Sequence, residues 1–352
     1  MNTGKGGVVA IDLFCGVGGL TRGLLNAGID VAAGIDCDES CRFAYENNNH
    51  ARFISEDITS LNPDVLLREY HNATVRILVG CAPCQPFSCL TQKQNQSESS
   101  KWHLLSYFGR LIRIIQPEIV SMENVPQLVS KQPFIDFLKT LVELGYNVNY
   151  SVVRCEDYGI PQTRRRLVLL ASKYGHISLN APNSGCKAST VRDAIGDLEP
   201  ISSGCASKND SLHRCQNMTE VNLKRIRNSR QGGTWLDWPD DLRSPCHKKK
   251  SGSTYGSVYA RAVWDKPGPT ITTQFFNFGS GRFGHPEQDR GLSLREGAIL
   301  QTFPHDYEFF ADGDSPSITK LARHIGNAVP VKLGEVIGQS IIDHLSAVNQ
   351  NR

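Results

Sequence analysis

Apolar and polar positions along the first half of the chain follow two alternating periods. Short runs rich in β-branched residues, Val8 to Phe14, Val31 to Ile35, Val75 to Val79 and Ile119 to Met122, read as buried parallel strands. Phe53 to Ile58 reads as a further short strand ending in acid. Between these runs the period changes to that of a helix. Leu20, Leu24 and Ala27 form one such stripe, and Leu104, Phe108, Leu111, Ile112 and Ile115 form another that stops before Pro117. Phe134, Leu138 and Leu141 mark a third, and Asn149 to Val153 and Arg166 to Ala171 predict the last two strands. The alternation predicts an α/β fold with a doubly wound, mostly parallel sheet. In such sheets ligands bind beyond the carboxyl ends of the strands, where strand order reverses. Gly16, Asp36, Cys84 and Glu123 all fall at predicted strand ends, which points to one active site.

After Ser172 the periodicity fades. Asn180 to Ser257 is rich in Ser, Asn, Gly, Lys and Arg, with a short helix predicted near Val191 to Ile195. Thr270 to Thr273 reads as a short strand before a glycine- and aromatic-rich loop, Phe275 to Gly284. The expected organisation is a first domain over residues 1–179 and 318–352, and a smaller, irregular or β-rich domain over 180–317. The final helix carries an apolar stripe, Leu333, Ile337, Ile341 and Leu345, whose expected host is the first domain.

Composition narrows the class only a little. The chain has 352 residues, 39% of them hydrophobic, and a net charge of +3. Lys and Arg outnumber Asp and Glu between Ile201 and Ala260, so the positive charge is gathered in one segment. Such a patch suits a polyanion, and suits equally a solvated charged face. The N-terminus is short and polar, and no apolar run approaches membrane-spanning length. A cytoplasmic protein without a membrane partner is expected. Eleven scattered cysteines fit reduced thiols rather than a disulfide framework.

Two stretches carry candidate chemistry. Cys15-Gly16-Val17-Gly18-Gly19 follows the first strand and opens a helix, as in nucleotide-binding units, and Asp36 stands twenty residues after Gly16 where an acid reaches ribose hydroxyls. Thr21 occupies the position of the third fingerprint glycine, which favours a ribose-bearing ligand without pyrophosphate over NAD. The second stretch is Gly80-Cys81-Ala82-Pro83-Cys84-Gln85-Pro86-Phe87-Ser88. Its prolines hold Cys84 on a stiff loop after a buried strand, open to a nucleophilic, redox, metal-binding or packing role. The Cys81–Cys84 spacing also suits a redox pair, and Cys205, His213, Cys215 and Cys246 could form a separate zinc site.

Six blocks, taken in order, resemble the DNA cytosine-5 methyltransferase family. They are Asp12 to Leu20, Pro83 to Ser88, Glu123-Asn124-Val125, Gln162 to Arg166, Arg295-Glu296 with Gln301 to Pro304, and Gly326 to Pro330. The likeness spans nearly the whole chain. Only the basic segment lacks it, and there the family carries its variable target-recognition domain. The resemblance implies a class I S-adenosylmethionine-dependent methyltransferase fold, with residues 1–179 and 318–352 as catalytic domain and 180–317 as recognition domain. It implies Cys84 as the nucleophile adding to cytosine C6, Glu123 at N3, and Arg164 and Arg166 beside the target base. Cys81 is then expected to be a packing residue. The implied cofactor is S-adenosylmethionine, held by Phe14, Gly16, Gly18, Gly19, Leu20, Asp36, Cys37, Asp57, Ile58, Pro83, Asn327, Ala328 and Val329. Asp57 has a second reading as the cap of the next turn, and Cys37 stands where the family often has a larger side chain. No metal is implied.

The implied partner is double-stranded DNA with its target base flipped out, contacted through Ser88, Gln162, Arg230, Gln231 and Thr270. Gly232-Gly233 is expected to let the Arg230–Gln231 loop approach the duplex closely. A cognate restriction endonuclease is a further implied partner, and a monomer is expected, at the nucleoid when bound to DNA. Two alternatives share the motifs: a tRNA cytosine-5 methyltransferase, disfavoured by the long basic segment, and an inactive DNA-binding homologue, disfavoured by the intact blocks.

Overall fold

The computed structural model describes residues 7–83, 99–182, 185, 187–249 and 256–350, with the side chains of 99–103 left aside. The chain divides into two compact units. The first comprises residues up to Arg154, Arg165–Asn183 and Val329 onward; the second comprises Cys155–Arg164 and Ser184–Ala328. The second unit thus takes in 155–164 and 318–328, stretches that the expected organisation grouped with the first.

Among the described residues the first unit is built on seven strands: β1 (Val8–Leu13), β2 (Asp30–Asp36), β3 (Arg52–Ser55), β4 (Val75–Gly80), β5 (Ile119–Asn124), β6 (Asn147–Arg154) and β7 (Arg165–Ser172). Their order is β3-β2-β1-β4-β5-β7-β6. β1 to β5 pair in parallel, and β7 runs antiparallel between β5 and β6. Strand order reverses between β1 and β4, so the loops after Leu13 and Gly80 flank the switch point. Gly80 is required there: a Cβ would meet Leu13 O at 2.9 Å. The central strands β1, β4, β5 and β7 are largely buried and read as apolar runs, and Leu13, Ile35, Leu78, Val120 and Leu169 share one core, while the edge strand β6 is largely exposed.

Helix α1 (Gly19–Asn26) and the terminal helix α10 (Val331–Gln350) pack together, which gives the stripe at Leu333, Ile337, Ile341 and Leu345 its host. Four small residues make the approach possible. A Cβ on Gly23 would lie 2.4 Å from Val331 O, one on Gly334 2.9 Å from Leu20 O, and one on Gly338 2.6 Å from Ala27 Cβ. Helices α2 (Arg42–Asn49), α3 (Pro63–Glu69), α4 (Ser99–Ile115) and α5 (Gln132–Glu143) complete the unit. α2 and α3 lack a clear apolar stripe, and only their packing shows them.

The second unit is irregular. Its helices are α6 (Val191–Ile195), α7 (Glu220–Arg227), α8 (Leu294–Leu300) and α9 (Ile318–Asn327). Among its described residues β-structure is limited to isolated bridges. Thr270 to Thr273, expected as a strand, is not one. The backbone groups of Ile271 are taken by side chains instead: its N–H donates to Gln162 Oε1 (3.1 Å), and its carbonyl accepts from Arg164 Nη1 (2.8 Å). A small apolar core of Ile226, Trp235, Trp238 and Phe278 is joined by ion pairs. Arg290 donates from both terminal guanidinium nitrogens to Glu296 (2.8 and 2.6 Å), which also accepts from Ser293 N–H (2.7 Å), and Arg295 pairs with Asp210 (2.6 and 3.0 Å). Burial beside this network pushes His285 down to about 4, so it stays neutral at physiological pH. No helix among the described residues is long and apolar enough to cross a membrane.

Gly338→Ala is expected to lower stability by ~1–3 kcal/mol through overpacking against Ala27. A shift of the urea midpoint measures it.

Candidate active site

The loop after β1 turns through left-handed backbone at Phe14 (φ 58°), Gly16 (φ 50°) and Gly18 (φ 86°). A phenylalanine in that region is strained, a condition that persists where the surroundings over-determine it. A Cβ on Gly16 would meet nothing within 4 Å, so the glycine leaves open space at the switch point. Asp36 closes the loop from the end of β2. Its Oδ2 accepts from Gly16 N–H and its Oδ1 from Asp38 N–H, both at 2.9 Å. Burial nonetheless raises its pKa, more than these donors lower it. Each oxygen keeps a lone pair, so the carboxylate can still accept ribose hydroxyls.

Thr21, where a dinucleotide fold has glycine, fills its space with a polar network. Its hydroxyl donates to Asp12 Oδ2 (2.8 Å) and lies 3.1 Å from Tyr45 OH. Asp12 is 1% exposed, and burial raises its pKa to about 7. This buried acid opens the first of the six family-like blocks but was given no role from sequence. Gly19 and Leu20 are buried at the start of α1. Cys37 is exposed; desolvation and the Asp36 carboxylate both raise its thiol pKa. Asp57 Oδ1 accepts from Thr59 N–H (2.8 Å), so it does cap the next turn, while Ile58 is buried in the core. Pro83 is exposed at the end of the described loop. Val329 is buried in the first unit; Asn327 and Ala328 end α9 in the second.

Glu123 lies next to the last residue of β5 and is 2% exposed. The antiparallel register sets Glu123 opposite Val168, which puts Arg166 two residues away on the same face. Arg166 Nε lies 2.8 Å from Glu123 Oε1. This is a close charge contact rather than an aligned hydrogen bond, since buried Oε1 accepts none. On the other side β4 and β5 run parallel with Gly80 beside Met122, so Cys81 comes up beside Glu123. The Cys81 S–H donates to Glu123 Oε2 at 2.8 Å. Cys81, expected to be packing alone, therefore touches the strand-end carboxyl. Cys84 and Ser88 lie outside the described residues.

The remaining residues belong to the second unit. Gln162, expected at DNA, is 0% exposed. Its amide donates to Leu300 O (2.8 Å) and Gln301 Oε1 (2.7 Å) and accepts from Ile271 N–H. It is a lock for three chain segments, with no polar atom left to meet a base. Arg164, expected beside the target base, is 3% exposed and braces Ile271 O (2.8 Å) and Ala328 O (3.4 Å). Thr270 Oγ1 donates to Thr163 O (3.1 Å). Arg230 has a 77% exposed side chain and only a loose ion pair with Asp237 (3.3 Å). Gln231 Oε1 accepts from Trp264 N–H (3.0 Å). The adjoining glycines serve the loop's own fold: Gly232 has φ 69°, and a Cβ on Gly233 would lie 2.5 Å from Asp237 Oδ2. Arg261, which sequence did not single out, holds the start of this loop by donating to Ile226 O and Ser229 O (both 2.9 Å). Both ring nitrogens of His213 are engaged, with Ser293 Oγ (2.8 Å) and Glu199 O (2.9 Å), so it presents no free ligand atom for zinc.

A parallel sheet with β7 inserted antiparallel beside the edge, and a glycine loop with an acid at its switch point, define a class I methyltransferase fold. A solved structure of a prophage-encoded E. coli methyltransferase shares it at a TM-score of 0.74 and 22% identity, covering 96% of this chain and 99% of that one. The S. pombe Dnmt2 methyltransferase does so at 0.68 and 17%, covering 97% and 99%. The chain belongs to the C-5 cytosine-specific DNA methylase family, whose model matches residues 8–343. It is 51% identical over 97% of both chains to a Type II methylase, M.HgiDII, of Herpetosiphon aurantiacus. It is 30% identical to the Type II methyltransferase M1.HphI of Haemophilus parahaemolyticus, over 94% of this chain and 86% of that one. The protein is thus a DNA cytosine-5 methyltransferase.

Asp12 makes stability pH-dependent in a defined direction. Its folded pKa of about 7 exceeds the ordinary 3.8, so the folded chain binds more protons between these values. The contribution is complete below about pH 4 and is lost as pH rises through 7. Urea midpoints measured across this range are expected to fall more steeply for wild type than for Asp12→Asn.

Proposed function

We propose that the chain transfers a methyl group from S-adenosylmethionine to C5 of a cytosine flipped out of a specific double-stranded DNA sequence, through a covalent Cys84–C6 adduct. The observation that carries this reading is the buried Glu123 carboxyl at the end of β5, with Arg166 against one oxygen and the chain leading to Cys84 against the other. Bound S-adenosylmethionine would supply an electrophilic methyl. The open face at Gly16, the Asp36 lone pairs and the strained Phe14 fit its ribose and base.

Cytosine C5 is too poor a nucleophile to take the methyl directly. The Cys84 thiolate adds to C6, the C5–C6 π electrons become those of an enamine, and C5 gains the nucleophilicity the transfer needs. Glu123 holds N3 and hands it a carboxyl proton as negative charge develops in the ring, and it takes that proton back from N3 when the ring is restored. Arg166 keeps the carboxyl placed and its charge balanced. After transfer, the C5 proton leaves to a base and the C6–S bond breaks toward sulfur. The aromatic ring is restored and the thiolate returns. Arg164 and Gln162 contribute by holding the segments at Ile271, Leu300 and Ala328. The exposed Arg230 on the loop braced by Arg261 is the candidate for DNA contact, and Gln231 and Thr270 are the other candidates in the same unit. The two Type II relatives support a restriction–modification setting with a cognate endonuclease.

Expression in a methylation-free bacterium followed by bisulfite sequencing tests the reaction. Methylated cytosines in one short sequence context are expected, and unmethylated DNA throughout would overturn it. Purified protein with cofactor should be trapped covalently on a duplex carrying 5-fluorocytosine at that site, and Cys84→Ala should not. An equal or faster reaction on tRNA would move the substrate class to RNA. Arg230→Ala is expected to weaken binding by ~1–3 kcal/mol, with relaxed preference if the contact is to a base edge and a lower salt slope if it is to phosphate. Titration at several salt concentrations reads both.

A further inference from the structure

The ends of β4 and β5 are tied by more than the sheet ladder. Cys81 N–H donates to Leu13 O (3.3 Å), and Asn124 Nδ2 donates to Ala82 O (3.0 Å) while its Oδ1 accepts from Val125 N–H (2.8 Å). The backbone at Cys81 and Ala82 is therefore held on both sides. On that backbone the Cys81 thiol reaches Glu123 Oε2 at 2.8 Å, opposite the edge that Arg166 faces at 2.8 Å.

The terminal torsion of a glutamate side chain is broad and roughly two-fold, so apolar packing does not choose a carboxyl orientation. A directional donor does. Here the two oxygens are distinguished, one by a cation and one by an S–H. We propose that Cys81 is a positioning residue, whose thiol fixes the rotation of the Glu123 carboxyl so that it meets the target base in one orientation. The inference rests on the role given to Glu123 under Proposed function. Misorienting a group that must move a proton lowers the rate of the chemical step more than it weakens substrate binding. The competing account is that Cys81 merely fills space between β4 and β5.

Two substitutions separate these accounts. Ser keeps the donor and loses volume, and Val keeps the volume and loses the donor. Full-length wild type, Cys81→Ser and Cys81→Val are compared for kcat, for KM toward cognate duplex and for the rate of covalent trapping on 5-fluorocytosine DNA. Positioning predicts Cys81→Ser within about threefold of wild type, and Cys81→Val slowed about tenfold in kcat and trapping with KM for DNA unchanged. Cys81→Val as fast as wild type, or Cys81→Ser slowed as much as Cys81→Val, would overturn the proposal. The S–H stretch of Cys81, isolated as the infrared difference between wild type and Cys81→Val, reads the contact without any turnover. A band displaced from the free-thiol position is expected, and one at that position overturns the proposal whatever the activity. If wild type fails to trap while the band is displaced, the contact stands and the role assigned to Glu123 fails.

Discussion

A carboxyl group buried at the end of a central strand must be answered by charge or by hydrogen-bond donors. Leaving a buried ion without its partner costs about 3–5 kcal/mol. The first unit meets this requirement at Glu123 with the sheet itself. Inserting β7 antiparallel between β5 and β6 places Arg166 diagonally across from Glu123 on one face. A parallel strand in that place would carry its residues in the opposite direction and would not return Arg166 to the strand end. The parallel pairing of β4 with β5 brings the chain that leads to Cys84 alongside, and the Cys81 thiol takes the remaining carboxyl oxygen. The arrangement around Glu123 is thus a consequence of strand direction and register.

The glycine loop rests on a different constraint, the closeness of backbones. α1 begins at the glycine loop, so whatever fixes α1 fixes the loop. The terminal helix does this by close packing at Gly23, Gly334 and Gly338, where there is no room for an added Cβ, the last of them against Ala27. The last twenty residues of helix therefore support the first loop of the chain. Asp36 then ties that loop to the end of β2 through Gly16 N–H. The buried Asp12 and Thr21 fill the space that a glycine-glycine approach would otherwise close, at the cost of a carboxyl that resists ionisation.

The second unit solves the same problem without a sheet. Where a strand would satisfy backbone groups by pairing, Gln162 and Arg164 satisfy those of Ile271 with side chains, and Arg290–Glu296 and Arg295–Asp210 pin the segments around α8. A fold held this way tolerates loops of many lengths between its pins. Among the described residues, the Arg230 side chain, 77% exposed, is tied into this unit only by its loose contact with Asp237.

Much of this was legible in the chain alone. Two-faced apolar runs specify parallel strands, and turn glycines and strand-end acids mark the ligand side, because these signals are local in sequence. Hence Gly16, Asp36 and Glu123 could be named from their positions, and the stripe on α10 could be matched to a host. Tertiary structure alone decided the partners. Nothing local to Cys81 distinguishes a space-filling thiol from one that donates to a carboxyl 42 positions away. Nothing local to Gln162 or Arg164 shows that their polar groups are taken up by Leu300, Ile271 and Ala328. A side chain's donors and acceptors are fixed by its chemistry, but what they meet is fixed by register and long-range packing, and these exist only once the chain has folded.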